Sequence, residues 1–118
     1  MIRRLIPGVA LLVLMFAGHA MAADAAKGKG IAAQKCAGCH GADGAGNGVM
    51  LQALSVPVPP VSWTNKTAMA AFSDDELTKI INGGGAAVGK PPIMPGFKGQ
   101  LSDAKIADLV AYIRSLAR

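Results

Sequence analysis

Large rings are scarce in this 118-residue chain, which has one Trp, one Tyr and three Phe, 4% of its residues. That scarcity excludes a core built on aromatic stacking. Cysteine is as rare, with two residues and therefore one disulfide at most, and histidine occurs twice, at His19 and His40. No dense Lys/Arg run with interleaved aromatics is present, so a nucleic-acid surface is excluded. No stretch alternates apolar and polar residues over a convincing strand length, which argues against a sheet. Internal repeats are absent.

The first residues, MIRRLIPGVALLVLMFAGHAMAADA, do not read as part of a folded domain. Arg3 and Arg4 form a positive start, Leu5 to Ala17 an apolar run broken by Pro7 and Gly8, and Ala20-Met21-Ala22 a small-residue cleavage pattern. This predicts a secretory signal peptide over 1–22 and a mature domain over 23–118. The alternative is an uncleaved N-terminal anchor, for which the apolar run is short against the roughly 20 residues a span requires. Loss of Arg3 and Arg4 leaves ten basic and seven acidic residues, a mildly basic +3. Such a surface suits an acidic protein partner. A domain of this size has a poor ratio of core to surface, so a bulky apolar cofactor would supply volume that Trp63, Tyr112, Phe72 and Phe97 cannot fill alone.

Three helices are predicted. Asp24 caps the first, over about 25–35. Ser-Asp-Asp-Glu at 73–76 forms a capping box ahead of Leu77, Ile80 and Ile81. Gly83-Gly84-Gly85 stops that helix. The third starts from Ser102, with Ile106, Leu109, Val110, Ile113 and Ala117 on one face, and Arg114 and Arg118 where positive charge suits the helix dipole. Turn-rich sequence separates them at 41–48, 56–63 and 83–97, and prolines forbid regular helix in the latter two. The fold class is therefore all-α with long ordered loops, which in a compact domain pack on something or serve function.

Both cysteines lie in CAGCHG, residues 36–41. A thioredoxin-like redox pair calls for a βαβ context, which the sequence lacks. Tetrahedral zinc needs four ligands, and the mature chain offers Cys36, Cys39 and His40. A structural disulfide would close a very small loop and do little to the denatured chain's entropy. Covalent haem accounts for all three residues. Cys36 and Cys39, three apart on a helical turn, reach the two vinyl groups of one haem edge, and His40 supplies the proximal iron ligand.

With GKGIAAQKCAGCHG, PPIMPGF and LSDAKIADLVAYIRSL in that order, the mature chain resembles the class I c-type cytochromes, small exported monohaem carriers. The resemblance implies a cytochrome c-like fold, with helices and long loops wrapped around one covalently bound haem c. Met94 is the best candidate for the distal iron ligand. Pro92 and Pro95 restrict its loop, and MPGF before the last helix looks like the family's axial segment. Met69 is the rival, and a core gap-filling role fits Met50 and Met69 better than Met94.

The same resemblance implies that Gly28 lets the last helix cross closely beside Tyr112, although Ala32 stands where an aromatic is usual. It also implies that a carbonyl among Pro57, Pro59 and Pro60 accepts from the proximal imidazole. Trp63 can donate to a haem propionate or simply pack. Lys27, Lys29, Lys35, Lys90 and Lys98 can ring the haem edge.

The function expected is electron transfer by haem cycling between Fe(III) and Fe(II), with no catalytic residues. Its partners would be a redox protein donor and acceptor in the periplasm, with acidic docking surfaces or within a membrane respiratory complex. The competing reading is a haem enzyme or gas sensor with an open sixth site.

Overall fold

The computed structural model describes residues 22–118, so the leader expected over 1–22 lies outside the described residues except for Ala22. Among those residues the chain is helical, with no strand and one isolated bridge between Lys98 and Leu101. The helices are α1 (Ala25–Lys35), α2 (Ala37–His40), α3 (Met50–Ala53), α4 (Lys66–Ala70), α5 (Asp74–Gly83) and α6 (Asp103–Leu116), with a 3-10 turn over Gly85–Val88.

The three predicted helices form with the caps the sequence implies. Asp24 accepts from the amides of Ala26 and Lys27. The Ser73 hydroxyl accepts from Glu76 N at 3.1 Å while the Glu76 carboxylate accepts from Ser73 N at 3.3 Å. Ser102 accepts from Lys105 N at 3.3 Å. α3, α4 and the 3-10 turn were not foreseen. Each is four or five residues long, too short to show a helical period and too short to persist alone. α4 nevertheless carries a local signal, since the Asn65 side chain caps it by accepting from Ala68 N at 3.0 Å.

α6 buries Ile106, Leu109, Val110, Tyr112 and Ile113, and its most extensive packing is against α1. α1 has little apolar character of its own and buries Gly28 and Ala32. Packing and end contacts therefore hold it: the Asp24 amide donates to the Asp108 carboxylate at 2.7 Å, tying the start of α1 to the middle of α6. At Gly28 a Cβ would lie 2.8 Å from Tyr112 Cβ and 2.6 Å from the Asp108 carbonyl carbon, so the close crossing forbids any side chain there. The small Ala32 is buried at the same contact face.

Met69, at 2% exposure, fills the core as its residue type suggests, but Met50 does not, being 47% exposed. Met50 sits on the short α3, with Sδ beside Gly38 rather than in the cluster of Leu77, Ile81, Leu101, Ile106 and Leu109.

Arg114 reaches from α6 to the α4–α5 junction. Its Nε pairs with Asp74 Oδ1 at 2.7 Å, Nη1 donates to the Met69 carbonyl at 2.8 Å and Nη2 donates to the Phe72 carbonyl. Hydrogen bonds from a charged donor contribute about 1.5–3 kcal/mol, whereas an exposed ion pair contributes at most about 1 kcal/mol. Asp74 is 71% exposed. Urea unfolding is therefore expected to show Arg114→Met losing about 1.5–3 kcal/mol and Asp74→Asn less than about 1 kcal/mol. The reverse order would refute the assignment of the bracket to the backbone carbonyls.

Candidate functional site

α1 runs almost directly into the cysteine segment. The Cys36 amide still donates to Ala32 O at 2.9 Å, and Cys36 O then accepts from Cys39 N at 3.2 Å and His40 N at 2.9 Å. The pair and the histidine thus share one helical turn, as their spacing requires. The glycine-rich segment that follows folds back on this turn: Gly46 N donates to His40 O at 2.8 Å and Gly48 N to Cys39 O at 3.0 Å. These amides satisfy carbonyls left open where the helix ends.

Both thiols are free, Cys36 buried and Cys39 partly so. Burial, and after it the charge of Cys39, pushes the Cys36 thiol up to about 11. That is the opposite of the depressed value that makes a redox thiol reactive. Among the described residues no three His, Cys, Asp or Glu side chains converge as a metal site. Burial also lowers the pKa of His40, which keeps its imidazole neutral near pH 7, the form that coordinates iron. Two free thiols one turn apart and a neutral imidazole beside them fit a covalently attached haem.

His40 Nδ1 is buried and has no hydrogen-bond partner. The expectation that a carbonyl of Pro57, Pro59 or Pro60 accepts from it is therefore corrected. The Pro60 carbonyl instead lies against Gly46. What contacts the imidazole is Trp63, stacked on it with ring centroids 4.6 Å apart and planes 24° from parallel. The indole is itself buried against Gly44. Sequence spacing gives no hint of this pair, because 23 positions of turn-rich chain separate the two rings.

Met94 is half-buried in the loop between the 3-10 turn and α6. The loop is pinned to the end of α5: Met94 O accepts from Gly85 N at 3.1 Å, Phe97 N donates to Ile81 O at 2.9 Å and Lys98 N to Asn82 O at 3.0 Å. Gly84, at φ 72°, allows this approach, since a Cβ there would lie 2.8 Å from Gly96 N and 2.9 Å from the Pro95 carbonyl carbon. The triple glycine is thus a seat for the Met94 loop as well as a helix stop. Met69, the rival ligand, is enclosed in the protein's own apolar cluster.

Among the described residues the exposed large apolar side chains are Val49, Met50, Leu54, Val58, Val61 and Ile93. They come from the segment after the cysteine motif and from the neighbour of Met94, and exposed apolar surface of this kind marks a place of interaction. Lys27, Lys29, Lys35, Lys90 and Lys98 are all exposed.

The chain matches the Cytochrome c family over residues 25–117. It is 34% identical to cytochrome c6 of Synechocystis sp. (strain ATCC 27184 / PCC 6803 / Kazusa) over 117 residues, covering 93% of this chain and 86% of that protein. Identity is 32% over 93 residues to the cbb3-type cytochrome c oxidase subunit FixP of Bradyrhizobium diazoefficiens, covering 79% of this chain and 28% of that larger protein. The solved structure of the KustC0563 c-type cytochrome superposes with a TM-score of 0.61 at 26% identity, covering 77% of this chain and 98% of that one. The helical architecture, the cysteine-histidine turn and these likenesses agree that the chain belongs to the cytochrome c family, as a class I monohaem member with covalently bound haem c.

Proposed function

We propose that Cys36 and Cys39 hold the haem by thioether bonds, that His40 and Met94 are its proximal and distal iron ligands, and that the mature domain, 23–118, works after export to the periplasm. Haem-based electron transfer between redox partners is the function of the chain. The bound haem supplies a one-electron Fe(III)/Fe(II) couple. The protein residues anchor the haem, present a neutral imidazole, and hold a thioether in a loop stitched to α5. Methionine opposite histidine raises the potential. With His40 and Met94 both holding the iron, substrates would have no direct access to it, and we read the chain as a carrier without enzymatic activity.

The observation that carries this reading is the turn at 36–40, where two unpaired thiols and a half-buried imidazole lie together. Export is supported by the leader pattern at 1–22, and no helix among the described residues is long and apolar enough to cross a membrane. The partners are a redox donor and an acceptor, met through exposed apolar and lysine side chains. Acidic docking surfaces or a membrane respiratory complex fit that chemistry.

Intact-mass measurement of protein exported by a host that matures c-type cytochromes tests the assignment. The expected mass is that of 23–118 plus one haem, which persists through acid extraction. A full-length chain, or haem released by acid, would count against it. Carbon monoxide separates the carrier from a gas sensor: the reduced native protein is expected to bind it poorly, and rapid stoichiometric binding would favour an open sixth site.

A further inference from the structure

A histidine that binds a metal through one ring nitrogen can turn about the metal–nitrogen bond unless something holds its plane. A hydrogen bond from the other nitrogen usually does so. Here that nitrogen, Nδ1 of His40, is buried and has no acceptor. The specific contact on the ring is the face of Trp63, 4.6 Å away and nearly parallel.

Trp63 is built as a fixed platform. Its amide donates to Gly44 O at 2.7 Å, and the indole packs on Gly44, whose own amide returns to Gly41 at 3.1 Å, directly after the histidine. On either side the Ser62 and Thr64 hydroxyls bond each other at 2.8 Å, and Asn65 N closes a turn onto Ser62 O at 3.2 Å. The tryptophan is 8% exposed. The aromatic plane facing His40 is therefore anchored through both the 41–46 loop and the 62–65 turn.

We propose that Trp63 is the positioning residue of the proximal ligand, setting the plane of the His40 imidazole by stacking in place of a hydrogen bond at Nδ1. The inference rests on His40 being the iron ligand. It also assigns the indole a role toward the imidazole face rather than toward a haem propionate.

In the oxidised protein the orientations of the axial imidazole plane and of the axial thioether together govern how unpaired spin spreads over the haem, so the Met94 methyl resonance is followed beside the haem methyl groups. The proton NMR shifts of the haem methyl groups report the imidazole plane where the Met94 methyl resonance stays at its wild-type position. Holoprotein with Trp63→Phe keeps a ring face and is expected to retain the wild-type order and spread of methyl shifts. Trp63→Leu keeps apolar bulk without a ring face and is expected to change both.

A wild-type pattern in Trp63→Leu, or the same displaced pattern in both variants, would overturn the proposal. If Trp63→Leu does not accumulate as holoprotein, Trp63→Phe decides alone: a retained pattern supports the stack and a displaced one refutes it. Wild-type protein whose His40 ring protons carry no paramagnetic shift would instead sink the ligand assignment, and the proposal with it.

Discussion

Met94→Ala is expected to abolish the Fe–S charge-transfer absorption of the oxidised protein and to lower its reduction potential. The substitution is unusually clean. The bonds that hold the loop run through backbone atoms, from Gly85 N to Met94 O and from Phe97 N and Lys98 N to carbonyls at the end of α5. Removing the thioether leaves all of them in place, so the change should register at the iron rather than in the fold. Methionine ligation raises the potential, and axial ligands span a range of about 0.8 V. A fall on the order of 100 mV is expected, equivalent to a factor of roughly 50 in the electron-transfer equilibrium at about 59 mV per tenfold. Reduced Met94→Ala should also bind carbon monoxide readily. An absorption band and potential indistinguishable from wild type would show that Met94 is not the ligand. The enclosure of Met69 in the core makes it a poor substitute.

Two glycines on the same helix are expected to respond in opposite directions to the same methyl group. At Gly28 a Cβ meets the Asp108 backbone and Tyr112 Cβ, neither of which can turn aside as a flexible side chain would. α1 and α6 must therefore separate along their most extensive contact, loosening the Asp24–Asp108 bond with it. Overpacking of this kind costs about 1–3 kcal/mol and occasionally more. The expected loss for Gly28→Ala lies at the upper end of that range. For a domain of this size it corresponds to a fall in Tm of roughly 10–20 °C.

Gly30, two residues on, is exposed with nothing within 4 Å of its would-be Cβ. Gly30→Ala removes only the helix penalty of glycine and should gain about 0.5–1 kcal/mol. Thermal unfolding of the two holoproteins side by side checks both. Equal effects of either sign would show that the crossing is not the constraint.

Much of this was legible beforehand because the signals are local. A capping box needs four consecutive residues, and Ser73 to Glu76 form one. The amphipathic stripe of α6 needs only the period of a helix, and its Ile106, Leu109, Val110 and Ile113 are buried, whereas Ala117 lies past the helix end and is half-buried, and Tyr112 joins the buried face instead. CAGCHG sits within one helical turn, where spacing alone brings the thiols and imidazole together. Gly28 and Tyr112 were recognisable through resemblance, and the crossing shows the steric reason.

Illegible were the features that depend on distant segments meeting. Trp63 reaches His40 because the 41–48 loop folds back onto the motif and carries Gly44 to the indole. Gly83 to Gly85 read as a helix stop, yet the same residues seat the Met94 loop. Arg114 read as a dipole partner at the end of α6, while its guanidinium ties down carbonyls at the α4–α5 junction. The proline carbonyl expected at Nδ1 failed for the same reason, since composition placed a rigid loop nearby but did not orient it.

The amino-acid sequence by itself thus determined the helix starts, the apolar face of α6 and the chemistry of the cysteine-histidine turn, because neighbouring residues decide each of these. Tertiary structure alone decided what surrounds that turn: which ring lies on the imidazole, which backbone groups hold the methionine loop, and which methionine is enclosed. These depend on how loops without regular periodicity close over one another, and such closure is set by the sum of many weak contacts rather than by any local pattern.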